Sequence, residues 1–108
     1  MFVKIYEYHI QKGKIENYLN LQKRANHLYS KYLDGHTIYL KSAQSETKWL
    51  EISTYKDEAT YQQGIKLVNS NSEIGKLFEQ FESYLEEKRE IKEENYDEIL
   101  RINRGARK

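Results

Sequence analysis

The residues best suited to chemistry alternate along three short stretches: Lys4, Tyr6 and Tyr8, then Tyr39, then Trp49, Glu51 and Tyr55. Tyrosine hydroxyls and an indole N–H can orient a planar polar ligand while their rings supply apolar contact. Tyr6, Tyr8, Tyr39, Trp49 and Tyr55 are therefore candidate binding residues. Glu51 is flanked by aromatics, a setting that raises a carboxyl pKa and suits it to accept a proton. The same residues also fit a subunit interface, with Glu51 paired to Lys4 or Lys41, because aromatics mark interfaces as readily as pockets.

His9 and His36 close one predicted strand and open the next, and Glu7 shares a strand face with His9. Were those strand ends adjacent, the pair would share a proton or a metal. Two histidines without ligand spacing are a weak metal signal, so no metal is expected, and His9 stands beside Glu51 as a candidate catalytic residue. His27 lies among Arg24, Asn26 and Tyr29 on a helical stretch and reads as solvated or as a partial core residue. The chain has no G-x-S-x-G, no glycine-rich phosphate loop and no H-E-x-x-H.

These side chains must be positioned by one small domain, since 108 residues bury roughly 65% of their unfolded surface. Hydrophobic residues make up 38% and charged residues 32%, a balance that argues against disorder. A net charge of +1 removes the main argument for nucleic-acid binding. With no cysteine, disulfides, thiolate metal sites and cysteine nucleophiles are excluded. No apolar run reaches membrane-spanning length, and Met1–Lys4 leads into a strand pattern rather than a signal peptide. The expectation is a cytoplasmic protein with no membrane partner and no cofactor.

Phe2–His9 alternates as a strand, and Gln11-Lys12-Gly13 is a turn. From Lys14 the period becomes helical through Ile15, Tyr18, Leu19, Ala25, Leu28, Tyr29 and Tyr32, ending at Asp34-Gly35. His36–Ala43 and Thr47–Tyr55 form a hairpin across a polar loop. Asp57 is an N-cap for a helix to about Val68, carrying Ala59, Ile65 and Val68 inward and shortened by Gly64. Ser70-Asn71-Ser72-Glu73 reads as a capping box for a helix with an Ile74/Leu77/Phe78/Phe81/Leu85 stripe. The EKREIKEE run reads as a solvated face, residues 89–102 fit a fourth strand or a longer helix, and 103–108 form a basic, frayed tail.

The order βαββαβ, with its second helical element split, is the ferredoxin-like α+β arrangement: an antiparallel sheet over residues 1–102 with helices on one face. Val3/Ile5, Ile38/Leu40 and Leu50/Ile52 are expected to meet the helices. The aromatic set then lies on the opposite face, where soluble monomers avoid a large apolar patch. A homodimer through these sheet faces resolves the conflict.

VKIYEYHI followed by a GK turn and a helix, the hairpin into TKWLEISTY, the DEATYQ helix start and the FEQFESYL helix together resemble the dimeric α+β barrel superfamily, and within it the antibiotic-biosynthesis-monooxygenase-like proteins. The resemblance covers residues 2–100 in pattern and order. It implies two ferredoxin-like subunits packed sheet on sheet, each with a pocket between sheet and helices. The implied activities run from cofactor-free oxygenation through haem degradation to isomerase or dismutase chemistry, and a fold does not choose among them. Haem-degrading members hold iron with a histidine on a helix of the second half, and residues 57–90 contain none.

The leading functional expectation is a cofactor-independent, monooxygenase-like enzyme acting on a small aromatic or polyketide-like molecule. The alternative is a non-catalytic dimeric module for ligand binding or assembly. RNA recognition shares the element order and stacks bases on sheet aromatics. TKWLEISTY lacks the basic-Gly-aromatic pattern of that third strand, and Glu51 there would repel phosphate.

Overall fold

A computed structural model describes residues 1–86 and 90–106. The chain runs β1 (Phe2–His9), a single 3-10 turn, α1 (Ile15–Tyr29), β2 (His36–Lys41), β3 (Lys48–Tyr55), α2 (Glu58–Ser70), α3 (Ser72–Tyr84) and β4 (Lys92–Asp97). All strand pairings are antiparallel, in the order β2-β3-β1-β4. The open question over residues 89–102 resolves as strand: β4 pairs with β1 at one sheet edge. Residues 98–106 follow without regular secondary structure. The EKREIKEE run begins at residues 87–89, which lie outside the described residues. Among those described, no helix is long and apolar enough to cross a membrane.

Local signals set most boundaries. The Asp57 carboxylate accepts the Thr60 amide at 2.7 Å and caps α2. The cap of α3 is Asn71, whose side chain accepts the Glu73 amide at 2.9 Å. Ser70 is not that cap, because its hydroxyl instead donates to the Leu67 carbonyl in the last turn of α2. Gly35 has φ 148°, and a Cβ there would collide with the Thr54 carbonyl, so only glycine turns this corner.

Gly64 does not shorten α2, which runs through it to Ser70. Its missing Cβ lets the turn after α1 approach, since a methyl would come within 2.8 Å of the Tyr32 carbonyl. The inward stripe of α2 is Tyr61, Gly64 and Val68, while Ala59 is exposed. The α3 stripe is looser than a core helix, with Ile74, Leu77 and Phe81 half-buried and Phe78 exposed.

The largest departure from expectation is the direction in which the sheet faces. Phe2, Lys4, Tyr6, Tyr8, Trp49, Glu51 and Tyr55 lie under the helices, with Tyr8 and Trp49 in the core beside Tyr18 and Leu21. The aliphatic set forms the open face: Val3, Ile5, Leu50 and Ile52 are half-buried, and Ile38 and Leu40 are 47% and 44% exposed. Alternation sorts residues into two sets without saying which set meets the helices. Here the long rings pack under the helices beside the cavity, and the Tyr8 and Tyr18 hydroxyls bond to one another across the two layers. Short branched side chains give the flatter surface outside.

Candidate functional site

The strand register assembles the site. Tyr6 pairs with Glu51 on one side and Glu93 on the other, and Glu51 pairs with Tyr39. A row Tyr39–Glu51–Tyr6–Glu93 therefore crosses the whole sheet on its helix-covered face. Above this row lies a cavity of about 910 Å³, roofed by Leu21, Tyr29 and Leu33 of the α1 region, Tyr61 and Ile65 of α2, and Leu77 and Phe81 of α3. That volume is at the upper end of small-molecule sites.

Glu51 lines the cavity from its sheet floor. The Tyr8 hydroxyl, two positions further along β1 than Tyr6, donates to its Oε1 at 2.8 Å and lies 2.6 Å from the Tyr18 hydroxyl. Burial pushes the Glu51 carboxyl above its usual range, and the Tyr8 hydrogen bond opposes that shift. No lysine or arginine forms an ion pair with it among the described residues. Burial likewise raises the phenols of Tyr6, Tyr8, Tyr18 and Tyr39, so each stays neutral; Tyr29 is pushed up to about 12.

Lys4 does not pair with Glu51. Its Nζ donates to Glu93 Oε2 at 3.0 Å and Asn95 Oδ1 at 2.7 Å on β4, and lies 5.0 Å from the Tyr61 ring centre. Antiparallel pairing sets Lys4 opposite Asn95, two positions from Glu51's partner Tyr6. Lys41 is exposed.

Of the candidate binding residues, Tyr6, Tyr8 and Tyr55 line the cavity. Tyr39 stands at its margin, donating to Gln22 Oε1 at 3.0 Å and accepting from Asn26 Nδ2 at 2.7 Å. Trp49 packs edge-on against Tyr18 at 5.0 Å, in the core beside the cavity. Its indole N–H is buried without a partner.

His9 is remote from the cavity, on the open face, with Nδ1 2.9 Å from Thr47 Oγ1. His36 lines the cavity, and the two histidines do not meet. Opposite β3 they pair with Lys48 and Thr54, roughly 20 Å apart along a strand, because β1 and β2 run parallel through the intervening β3. Glu7 faces Lys48 and Lys92 at 3.6 and 3.7 Å.

Tyr29, Tyr61, Gln22 and Asn26 also shape the site, and sequence reading did not assign them to it. Their signal is a helical spacing, 22/26/29 in α1, that places polar groups on the sheet-facing side.

A four-stranded antiparallel sheet with helices on one face and a cavity between them is a ferredoxin-like α+β fold. Solved structures show the likeness directly. A mutant of SnoaB, a cofactor-independent oxygenase from Streptomyces nogalater, superposes with a TM-score of 0.74 at 5% identity over 95% of this chain and 97% of its own. An uncharacterized NIPSNAP domain protein from Burkholderia xenovorans gives 0.72 at 13% identity, covering 96% and 100%. A putative antibiotic biosynthesis monooxygenase from Nitrosomonas europaea gives 0.68 at 15% identity, covering 93% and 100%. No family profile and no curated protein matches the chain. At such identities the likeness is one of fold.

Proposed function

We propose that this protein is a cytoplasmic, homodimeric, monooxygenase-like enzyme that acts without a bound cofactor on a small aromatic or polyketide-like molecule. The observation that carries the reading is Glu51: a desolvated carboxylate, held by Tyr8, facing a cavity of about 910 Å³. A base in an apolar, water-poor pocket removes a proton from an activated C–H. The resulting carbanion delivers electrons to dioxygen, the co-substrate, forming a hydroperoxide. Loss of water leaves a carbonyl, so one CH2 and one O2 become one C=O and one H2O. Tyr6, Tyr8 and Tyr55 would bind the ring, with Tyr39 fixing Gln22 and Asn26 at the margin.

The dimer in this reading joins the open faces of two sheets. Its support is the exposure of Ile38 and Leu40 beside half-buried Val3, Ile5, Leu50 and Ile52, an apolar surface of the kind that marks an interface. The partner-facing residues are thus the aliphatic set, on the face away from the helices.

Oxygen uptake with a dihydroxyanthrone tests the function. The wild type should consume O2 and place one labelled oxygen atom in the product, and Glu51→Gln should lose that activity. Binding with no uptake across a panel of electron-rich arenes would instead establish the non-catalytic ligand-binding module.

A further inference from the structure

Two carboxylates occupy the sheet row beneath the cavity, and they are provided for differently. Glu93 has its cation, the Lys4 ammonium, only 5% of whose residue surface is exposed. Around that ammonium stand the rings of Phe2, Tyr6 and Tyr61, with centres 5.8, 5.7 and 5.0 Å from Nζ. This is a complete cation cage: aromatic faces whose quadrupoles attract positive charge, closed by a carboxylate.

Glu51 also lies among tyrosines, and among the described residues no lysine or arginine forms an ion pair with it. Tyr6, Tyr29, Tyr55 and Tyr61 line the same cavity as Glu51, and the Tyr55 and Tyr61 rings are 4.8 Å apart. Among the described residues the cavity is lined by Glu51 and Glu93 but by no lysine or arginine. An anionic ligand would find no lysine or arginine among these residues to pair with, whereas a cation would find the Glu51 carboxyl, in a medium of low dielectric where such pairing is poorly screened.

We propose that the ligand of this cavity pairs an aromatic ring with a positively charged amine, the ammonium seated between Glu51 and the rings of Tyr29, Tyr55 and Tyr61. The inference rests on the cavity being the ligand site and names the ligand's chemical class. It also answers a difficulty in using Glu51 as a base. Burial alone favours the protonated carboxyl, which accepts no proton. An ammonium beside it holds the carboxylate ionised and acidifies the neighbouring C–H.

Binding of three near-isosteric probes, 2-naphthylethylammonium, 2-naphthylethanol and 2-naphthylacetate, measured by calorimetry at neutral pH and low salt, tests this. The ammonium should bind about tenfold or more tighter than the alcohol, and the carboxylate should bind weakest. Glu51→Gln should bring the ammonium down to the alcohol's affinity. The wild-type series decides the matter even if that variant does not fold. An ammonium no tighter than the alcohol, or a carboxylate that equals it, overturns the charge preference and leaves the cavity as a ligand site. Failure of all three to bind overturns both.

Discussion

Tyr8 and Glu51 are diagonal neighbours on adjacent strands, Tyr8 opposite Trp49 and Glu51 opposite Tyr6. Diagonal positions on one sheet face lie within reach of long side chains, and here the phenol spans the diagonal to donate at 2.8 Å. With Tyr18 behind it at 2.6 Å, the bond ties the floor of the cavity to α1.

Tyr8→Phe removes the donor that favours the ionised form of Glu51. The Glu51 pKa should rise further, read by carboxyl carbon NMR against the wild type. Stability should fall by about 1–3 kcal/mol, the cost of leaving a buried polar group unpaired, measured by urea unfolding.

Stability should depend on pH in two separable windows. The folded-state pKa of Glu51 lies above 4.5, so between the two values the folded protein holds more protons than the unfolded chain. Its contribution is full below the unfolded value and is lost as pH rises through the folded one. Asp57 behaves oppositely. Its pKa is lowered from 3.8, so its contribution is present above that value and is lost as pH falls. Urea midpoints should show that Glu51→Gln removes the loss toward neutral pH and leaves the acid limb intact.

Gly64→Ala should destabilise the protein, although alanine is the better helix former by about 1 kcal/mol. The added methyl would meet the Tyr32 carbonyl and the Leu33 side chain. Such overpacking costs about 1–3 kcal/mol and outweighs the propensity gain. A lower thermal midpoint than wild type confirms the sign.

Substitutions on the two sheet faces should separate assembly from folding. Ile38→Lys with Leu40→Lys charges the open face and should yield a folded monomer by light scattering. Trp49→Ala removes a core ring that packs on Tyr18 and should cost about 3–5 kcal/mol, lowering the unfolding midpoint rather than selectively weakening the dimer. A Trp49→Ala protein that keeps full stability but dissociates would overturn this assignment of the faces.

The element order, the Asp57 cap and the membership of each strand face were legible in the sequence, because they depend on neighbours a few residues apart. Period-two alternation placed Tyr6, Tyr8, Glu51 and Tyr55 together before any fold was known, and they share one cavity. Which face the helices cover was not legible, since both faces are apolar enough to be buried. It is decided by long-range packing, in which Tyr18 and Leu21 of α1 meet Tyr8 and Trp49 of the sheet. Strand register, a matter of contacts distant in sequence, gave Lys4 to Glu93, parted His9 from His36 and left Glu51 facing the cavity.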